Sequence, residues 1–183
     1  PLPCDDMDKS ITNKENQIVS VNKGEPLRVV YLGDYNSSIR NIRPLYEACE
    51  MLDFLTLTIA GNTDITLEEK KNINIMPRVS QIEAKRLENE ADVIVSVGNL
   101  SGSQIPGKIY YAASSSKAIL VTIDGEQPKE MKQYLESYNR FICCLTNTED
   151  ITEALIDIRN HPQLKYITPK ELLSTEIANK ILL

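Results

Sequence analysis

Three short apolar runs each stop at a glycine, and no other feature of this chain constrains its fold more. Leu27-Arg28-Val29-Val30-Tyr31-Leu32 ends at Gly33, Leu55-Thr56-Leu57-Thr58-Ile59-Ala60 at Gly61, and Asp92-Val93-Ile94-Val95-Ser96-Val97 at Gly98. Such runs mark strands buried on both faces of a parallel sheet. Between the first two, Ile42, Leu45, Tyr46, Cys49 and Leu52 fall at helical spacing over residues 41–53, with Pro44 in the first turn. Residues 80–90 carry Ile82, Ala84 and Leu87 among charges, with Ser80 placed as an N-cap. Further strands are expected at Asn72–Met76, Lys117–Ile123 and Arg140–Leu145, and further helices over 105–115, 128–138, 150–159 and 169–183. The alternation predicts an α/β fold: a parallel sheet of about six strands, covered by helices on both faces and joined by right-handed crossovers. Ligands of such sheets sit beyond the carboxyl ends of the strands, near the point where strand order reverses. The loops to examine are therefore 33–40, 61–66, 98–106 and 123–128.

The chain has 183 residues, enough for one domain with tails. Residues 1–26 read as a linker, 27–160 as the domain, and 161–183 as a C-terminal tail and helix. A chain that opens on Pro1 rather than Met is expected to be a piece of a longer one. Lys plus Arg number 20 against 26 Asp plus Glu, a net charge of −6, which argues against broad nucleic-acid binding. A local cationic pocket for one small anion is still allowed. No apolar run approaches the roughly 18 residues of a membrane span, and the first residues lack the pattern of a signal peptide. The cysteines Cys4, Cys49, Cys143 and Cys144 have no CxxC spacing, and His161 is the one histidine. No zinc or other metal site is expected, and neither is a Ser-His-Asp or Cys-His nucleophile. Cys143 and Cys144 are expected on opposite faces of a strand, as buried reduced thiols of a cytoplasmic protein.

The loop from Gly33 to Asn41 holds a single glycine, so neither GxGxxG nor the P-loop pattern is present. It does set Arg40 beside a helix start, where free N–H groups and a guanidinium suit a phosphate. The alternative for Arg40 is a solvated surface charge. The loop from Gly98 to Lys108 contains Gly98, Gly102, Gly107, Ser101, Ser103, Asn99 and Gln104. Small residues let a ligand approach the backbone, and Lys108 offers a point charge; the alternative is a flexible connection. Asp124-Gly125-Glu126 reads as a turn, Tyr134, Leu135 and Tyr138 as core packing, and Glu68-Glu69-Lys70-Lys71 as a solvated face. A phospho-receiver domain needs an acidic pair after the first strand, and Asp34 stands there alone.

The stretch Pro106-Gly107-Lys108-Ile109-Tyr110-Tyr111-Ala112-Ala113-Ser114-Ser115-Ser116-Lys117-Ala118-Ile119-Leu120 resembles the Pro-Ser-Lys-hydrophobic-Phe-Glu-Tyr…Gly-Lys-Pro-Ile segment of GT-B glycosyltransferases, of the bacterial kind that builds capsule, lipopolysaccharide or other surface glycans. Leu32-Gly33…Ile39-Arg40-Asn41 is similar to that family's Gly-x-x…Arg/Lys segment. Leu57–Gly61 resembles its hydrophobic-x-Ile-x-Gly strand, and Asp92–Asn99 its Ala-Asp-hydrophobic strand. The match runs from about residue 27 to residue 160. It implies a Rossmann-like three-layer α/β/α C-terminal domain, the half that binds a nucleotide-sugar donor, with the acceptor held by a missing N-terminal domain. The last helix would then pack back toward that missing half.

By the same resemblance, Arg40, Lys108 and Gly33 line the donor diphosphate. Asn99, Ser101, Gly102, Ser103, Gln104 and Tyr111 face the donor sugar and nucleotide. The donor is a substrate; no cofactor or metal is implied. The full-length enzyme would be cytoplasmic, with peripheral association at the inner face of the membrane. Several positions depart from the family. Tyr111 stands where a Glu receives the ribose hydroxyls, Ser103 where retaining members carry another Glu, and Ser116 and Ala118 where Gly and Pro are usual. Asp34 replaces a common basic residue, and its charge is expected to repel a diphosphate. The donor pocket is thus either tuned differently or partly lost, the second case leaving a non-catalytic binding or interaction module.

Overall fold

Strand β1 (Leu27–Leu32) is buried at Leu27 and from Val29 to Tyr31, so layers cover both of its faces, as its apolar run requires. The computed structural model describes residues 24–161, 166–169 and 172. Along the chain follow α1 (Arg43–Glu50), β2 (Leu55–Ala60), β3 (Ile73–Met76), α2 (Gln81–Glu90), β4 (Val93–Val97), α3 (Lys108–Ala112), β5 (Ala118–Ile123), α4 (Pro128–Glu136), β6 (Ile142–Leu145) and α5 (Thr148–Asn160). The six strands form one sheet in the order β3-β2-β1-β4-β5-β6. Every pairing is parallel, with Val29 opposite both Leu57 and Val93, and Leu120 opposite both Val95 and Ile142. The expected Rossmann-like α/β/α architecture is present, and its order reverses between β1 and β4.

Helices α1 and α5 cover one face, where Leu45, Cys49, Ile151 and Leu155 pack on Val29, Leu57 and Val95. On the other, Ile109 of α3 and Leu135 of α4 pack on Ile119 and Val121, and Leu87 of α2 lies on Val30 and Ile94. Cys144 joins the first face and Cys143 the second, as the alternation of a strand demands. Burial pushes the thiols of Cys49, Cys143 and Cys144 up to about 12, so they remain protonated at neutral pH. Leu135 is buried and Tyr138 packs on the second core face and onto Phe141, as core packing predicts, whereas Tyr134 is 40% exposed and meets Tyr138 edge to face at 5.4 Å.

The helix ends show where side chains overrode the apolar period. Ser80 caps α2 by accepting from the Glu83 N–H at 3.2 Å, as its position predicts. Asn147 does the same for α5 from the Asp150 N–H at 2.7 Å, with Glu149 and Asp150 in the first turn and Arg159 in the last. Helix α1 starts at Arg43 rather than residue 41, and the Asn41 side chain accepts from the Arg43 N–H at 3.2 Å. It stops at Glu50 rather than 53, where the Asn72 amide donates to the Cys49 and Leu52 carbonyls at 2.9 and 3.2 Å.

Helix α3 is the largest correction: residues 105–115 are expected and only Lys108–Ala112 is helical. The hydroxyls of Ser114 and Ser115 turn back on the carbonyls of Tyr111 and Ala112, both at 2.8 Å, competing with further helix. Arg140, 1% exposed, takes over the carbonyls beyond, donating to Ala113 at 2.9 Å, Ser115 at 2.6 Å and Lys117 at 3.1 Å. Turning inward there, Arg140 is no part of β6, which begins at Ile142 rather than 140. The linker expected before residue 24 and most of the helix expected over 169–183 lie outside the described residues. Leu172 is fully buried in the second core face, against this domain, where the reading of the tail looks toward a missing half.

Candidate functional site

The loops after β1 and β4 meet at the reversal point, and the one after β1 is fastened on every side. The Gly33 N–H donates to the Ala60 carbonyl at 2.8 Å, and Tyr35 donates to Asn62 at 3.0 Å. Asp64 accepts the Ser37 N–H at 2.9 Å and the Ser37 hydroxyl at 2.7 Å, bonds that hold this carboxyl below the ordinary carboxylate range. Asn36 closes the loop on itself, its side chain accepting from the N–H groups of Ser38 and Ile39 at 3.1 and 2.8 Å. Leu100 of the opposite loop donates to the Ile39 carbonyl at 2.8 Å. Two glycines make this closeness possible. A Cβ on Gly61 would strike the Gly33 carbonyl, and one on Gly33, at φ 153°, would strike the Lys108 ammonium.

Arg40 and Lys108 reach carbonyls two residues apart at the end of β1. The Lys108 Nζ donates to the Leu32 carbonyl at 2.6 Å. Arg40 donates through Nε to the Asn99 side chain at 3.1 Å and through a terminal nitrogen to the Asp34 carbonyl at 3.2 Å. These partners are neutral oxygens, so neither cation is neutralised by them. The Lys108 pKa is pushed down by burial of its ammonium and then by the charge of Arg40. Beneath them the Tyr31 hydroxyl donates to the Asp34 carbonyl at 3.2 Å, and burial pushes that phenol up.

The remaining sequence candidates fall around this pair. Asn99 holds Arg40 rather than standing open. Gly102, at φ 75°, bends the second loop, and Ser101, Ser103 and Gln104 lie exposed along its rim. Gly125, at φ 90°, backs onto this loop so closely that a Cβ there would strike the Gly102 carbonyl. Asp124 accepts from the Gly125 N–H at 2.9 Å, as a turn residue does. Tyr111 is 48% exposed on α3, one turn beyond Lys108. Arg40 sits three residues before α1 begins, not in its first turn, so the amides near it belong to the loop.

Two features escape the sequence reading. Asp34 does not simply face outward: it accepts the Asn62 N–H at 2.9 Å and pairs with Arg78 at 3.3 Å. The Asn62 bond, then Arg78 and Lys108, hold its carboxyl below the usual range. Arg78 itself, from the segment after β3, adds a third cation that no motif announces. Among the described residues no group of three or more His, Cys, Asp or Glu side chains is arranged to hold a metal ion. No helix among them is long and apolar enough to cross a membrane.

No protein-family model matches the chain, and no curated protein matches it in sequence. Solved structures match it in shape. The UDP-GlcNAc 2-epimerase of Neisseria meningitidis, bound to UDP-GlcNAc, aligns with a TM-score of 0.56 at 13% identity, over 85% of this chain and 45% of its own. HepE of Anabaena, in complex with UDP-glucose, aligns with a TM-score of 0.57 at 8% identity, over 87% and 50%. The glycotransferase of kitacinnamycin aligns with a TM-score of 0.50 at 19% identity, over 75% and 36%. The fold is that of one half of a GT-B protein. The chain spans about half the length of these structures.

Proposed function

We propose that the chain is the donor-binding half of a glycosyltransferase, taking a nucleotide sugar and passing the sugar to a glycan or lipid-linked acceptor in surface polysaccharide synthesis. The observation that carries this reading is the convergence of Arg40 and Lys108 on the Leu32–Asp34 backbone at the reversal point of the sheet. Two cations held on neutral oxygens suit a diphosphate, whose oxygens accept several hydrogen bonds at once. The exposed Ser101, Ser103, Gln104 and Tyr111 supply hydroxyl and amide groups for the sugar and nucleoside. With the donor so held, the two cations stabilise the departing diphosphate as the bond to the anomeric carbon breaks. The acceptor, and any base that deprotonates it, belong to a second domain. The whole enzyme works in the cytoplasm, associating peripherally with the inner face of the membrane, and this half alone transfers no sugar.

The test is a thermal-shift titration with UDP, GDP and their sugar conjugates. Binding to the folded state raises the melting temperature, and Arg40→Ala removes that rise. A chain that shows no shift with any of them is the non-catalytic module instead. A second reading, half of a nucleotide-sugar 2-epimerase, is favoured by the shape shared with the Neisseria enzyme. Turnover of a UDP-sugar by the full-length protein with no acceptor present would select it.

A further inference from the structure

We propose that Asp34 is a built-in competitor for the anion seat at the reversal point, and that Arg78 completes this seat as a third cation. The inference rests on the nucleotide-sugar reading above and adds to it. Three cations from three separate segments of the chain address two residues, Leu32 and Asp34. Lys108 reaches the Leu32 carbonyl, Arg40 the Asp34 carbonyl, and Arg78 the Asp34 carboxylate. Among the described residues Asp34 is the one carboxylate ion-paired with any of the three, while Glu88 reaches Lys108 only through its field and Asp64 is engaged by Ser37. Asp34 is bound as a phosphate oxygen would be: a backbone N–H on one oxygen at 2.9 Å and a guanidinium on the other at 3.3 Å. Its field reaches Lys108 as well as its partner Arg78.

A diphosphate entering beside Arg40 and Lys108 therefore meets two opposing terms from Asp34. The carboxylate repels it directly, and it holds Arg78 in a pair. Arg78 is 69% exposed, which leaves its guanidinium room to turn from the carboxylate to a better acceptor. A diphosphate carries more charge and more acceptor oxygens than one carboxylate, so it wins the exchange. A weaker anion does not. In this way Asp34 sets a threshold that selects diphosphates, with their larger set of acceptor oxygens, over single phosphates and free carboxylates.

Titration calorimetry of the 183-residue chain tests this at low and high salt, with UDP, inorganic pyrophosphate and uridine as probes. Asp34→Asn keeps an oxygen to accept the Asn62 N–H and removes only the charge. We expect UDP and pyrophosphate to bind this variant about tenfold more tightly at low salt, the gain shrinking at high salt. Asp34→Asn/Arg78→Gln is expected to lose that gain, Glu153→Gln on α5 to show none, and uridine to distinguish no variant. Melting curves without ligand confirm that each variant is folded. Equal affinity of Asp34→Asn and the parent for UDP overturns the inference while leaving the nucleotide-sugar reading intact. Failure of every variant to bind UDP and pyrophosphate overturns both. A gain that persists in the double variant, or appears in Glu153→Gln, removes Arg78 or Asp34 from the account.

Discussion

Strands β1 and β4 are tied at both ends by an arginine, and the two ends treat it in opposite ways. At the amino edge, Arg28 clasps Asp92 through two nitrogens, each at 3.1 Å, while the Arg28 N–H adds a third bond at 2.9 Å. That carboxylate is nearly buried and its acceptor capacity is met. At the carboxyl rim, Arg40 and Lys108 hold neutral oxygens, and the Asp34 carboxylate answers a third cation, Arg78. The amino edge is a finished structural pair; the rim sets its cations on neutral oxygens, which is the basis of the proposed anion seat. A matched pair of this sort maintains strand pairing, whereas unmatched cations on rigid loops are costly to hold together and point to a ligand.

Substitutions at the two ends should separate these roles. The largest effect is expected from Gly61→Ala, whose new methyl would lie against the Gly33 carbonyl group and 3.1 Å from the Asp34 nitrogen. Backbone must shift, so we expect about 2–3 kcal/mol of lost stability in urea denaturation, with loss of any UDP-induced shift. Asp92→Asn comes next. It should cost about 1.5–3 kcal/mol, discounted toward the lower figure because Arg28 is half exposed, and leave UDP binding unchanged. Arg40→Ala should do the reverse, changing unliganded stability by under about 1 kcal/mol while removing the ligand shift. If Asp92→Asn abolished the shift instead, the contrast between the two ends would be wrong.

The smallest effect concerns acid. The folded pKa of Asp34 lies below its ordinary 3.8, through the Asn62 N–H first and then Arg78. Its contribution is therefore complete above the unfolded value and is lost as pH falls through the lower folded one. Denaturation followed below pH about 4 should show a slightly shallower acid loss in Asp34→Asn than in the parent.

Local pattern carried far in this chain. The runs ending at Gly33, Gly61 and Gly98 identified three strands, Ser80 its helix start, and the neighbouring cysteines their opposite faces. Element ends were less legible, because Asn72 and Arg140 satisfy carbonyls distant in sequence, and α3 shortens where serine hydroxyls and that arginine take its last acceptors. Of the rim, Arg40, Lys108 and Gly33 could be singled out from their own loops. Arg78 could not, since the segment holding it carries no motif and its partner Asp34 lies 44 residues away.

The parallel, doubly covered sheet was determined by the chain itself, because a strand buried on both faces must be apolar throughout and a helix on its surface must be apolar on one side. Which charges meet was decided by tertiary structure. Strand order carries Lys108 to a carbonyl 76 residues earlier and turns Asp34 from a bare repulsive charge into the partner of Arg78. Periodicity reports what each residue faces, in core or in water; it holds no record of which loops the sheet will set side by side.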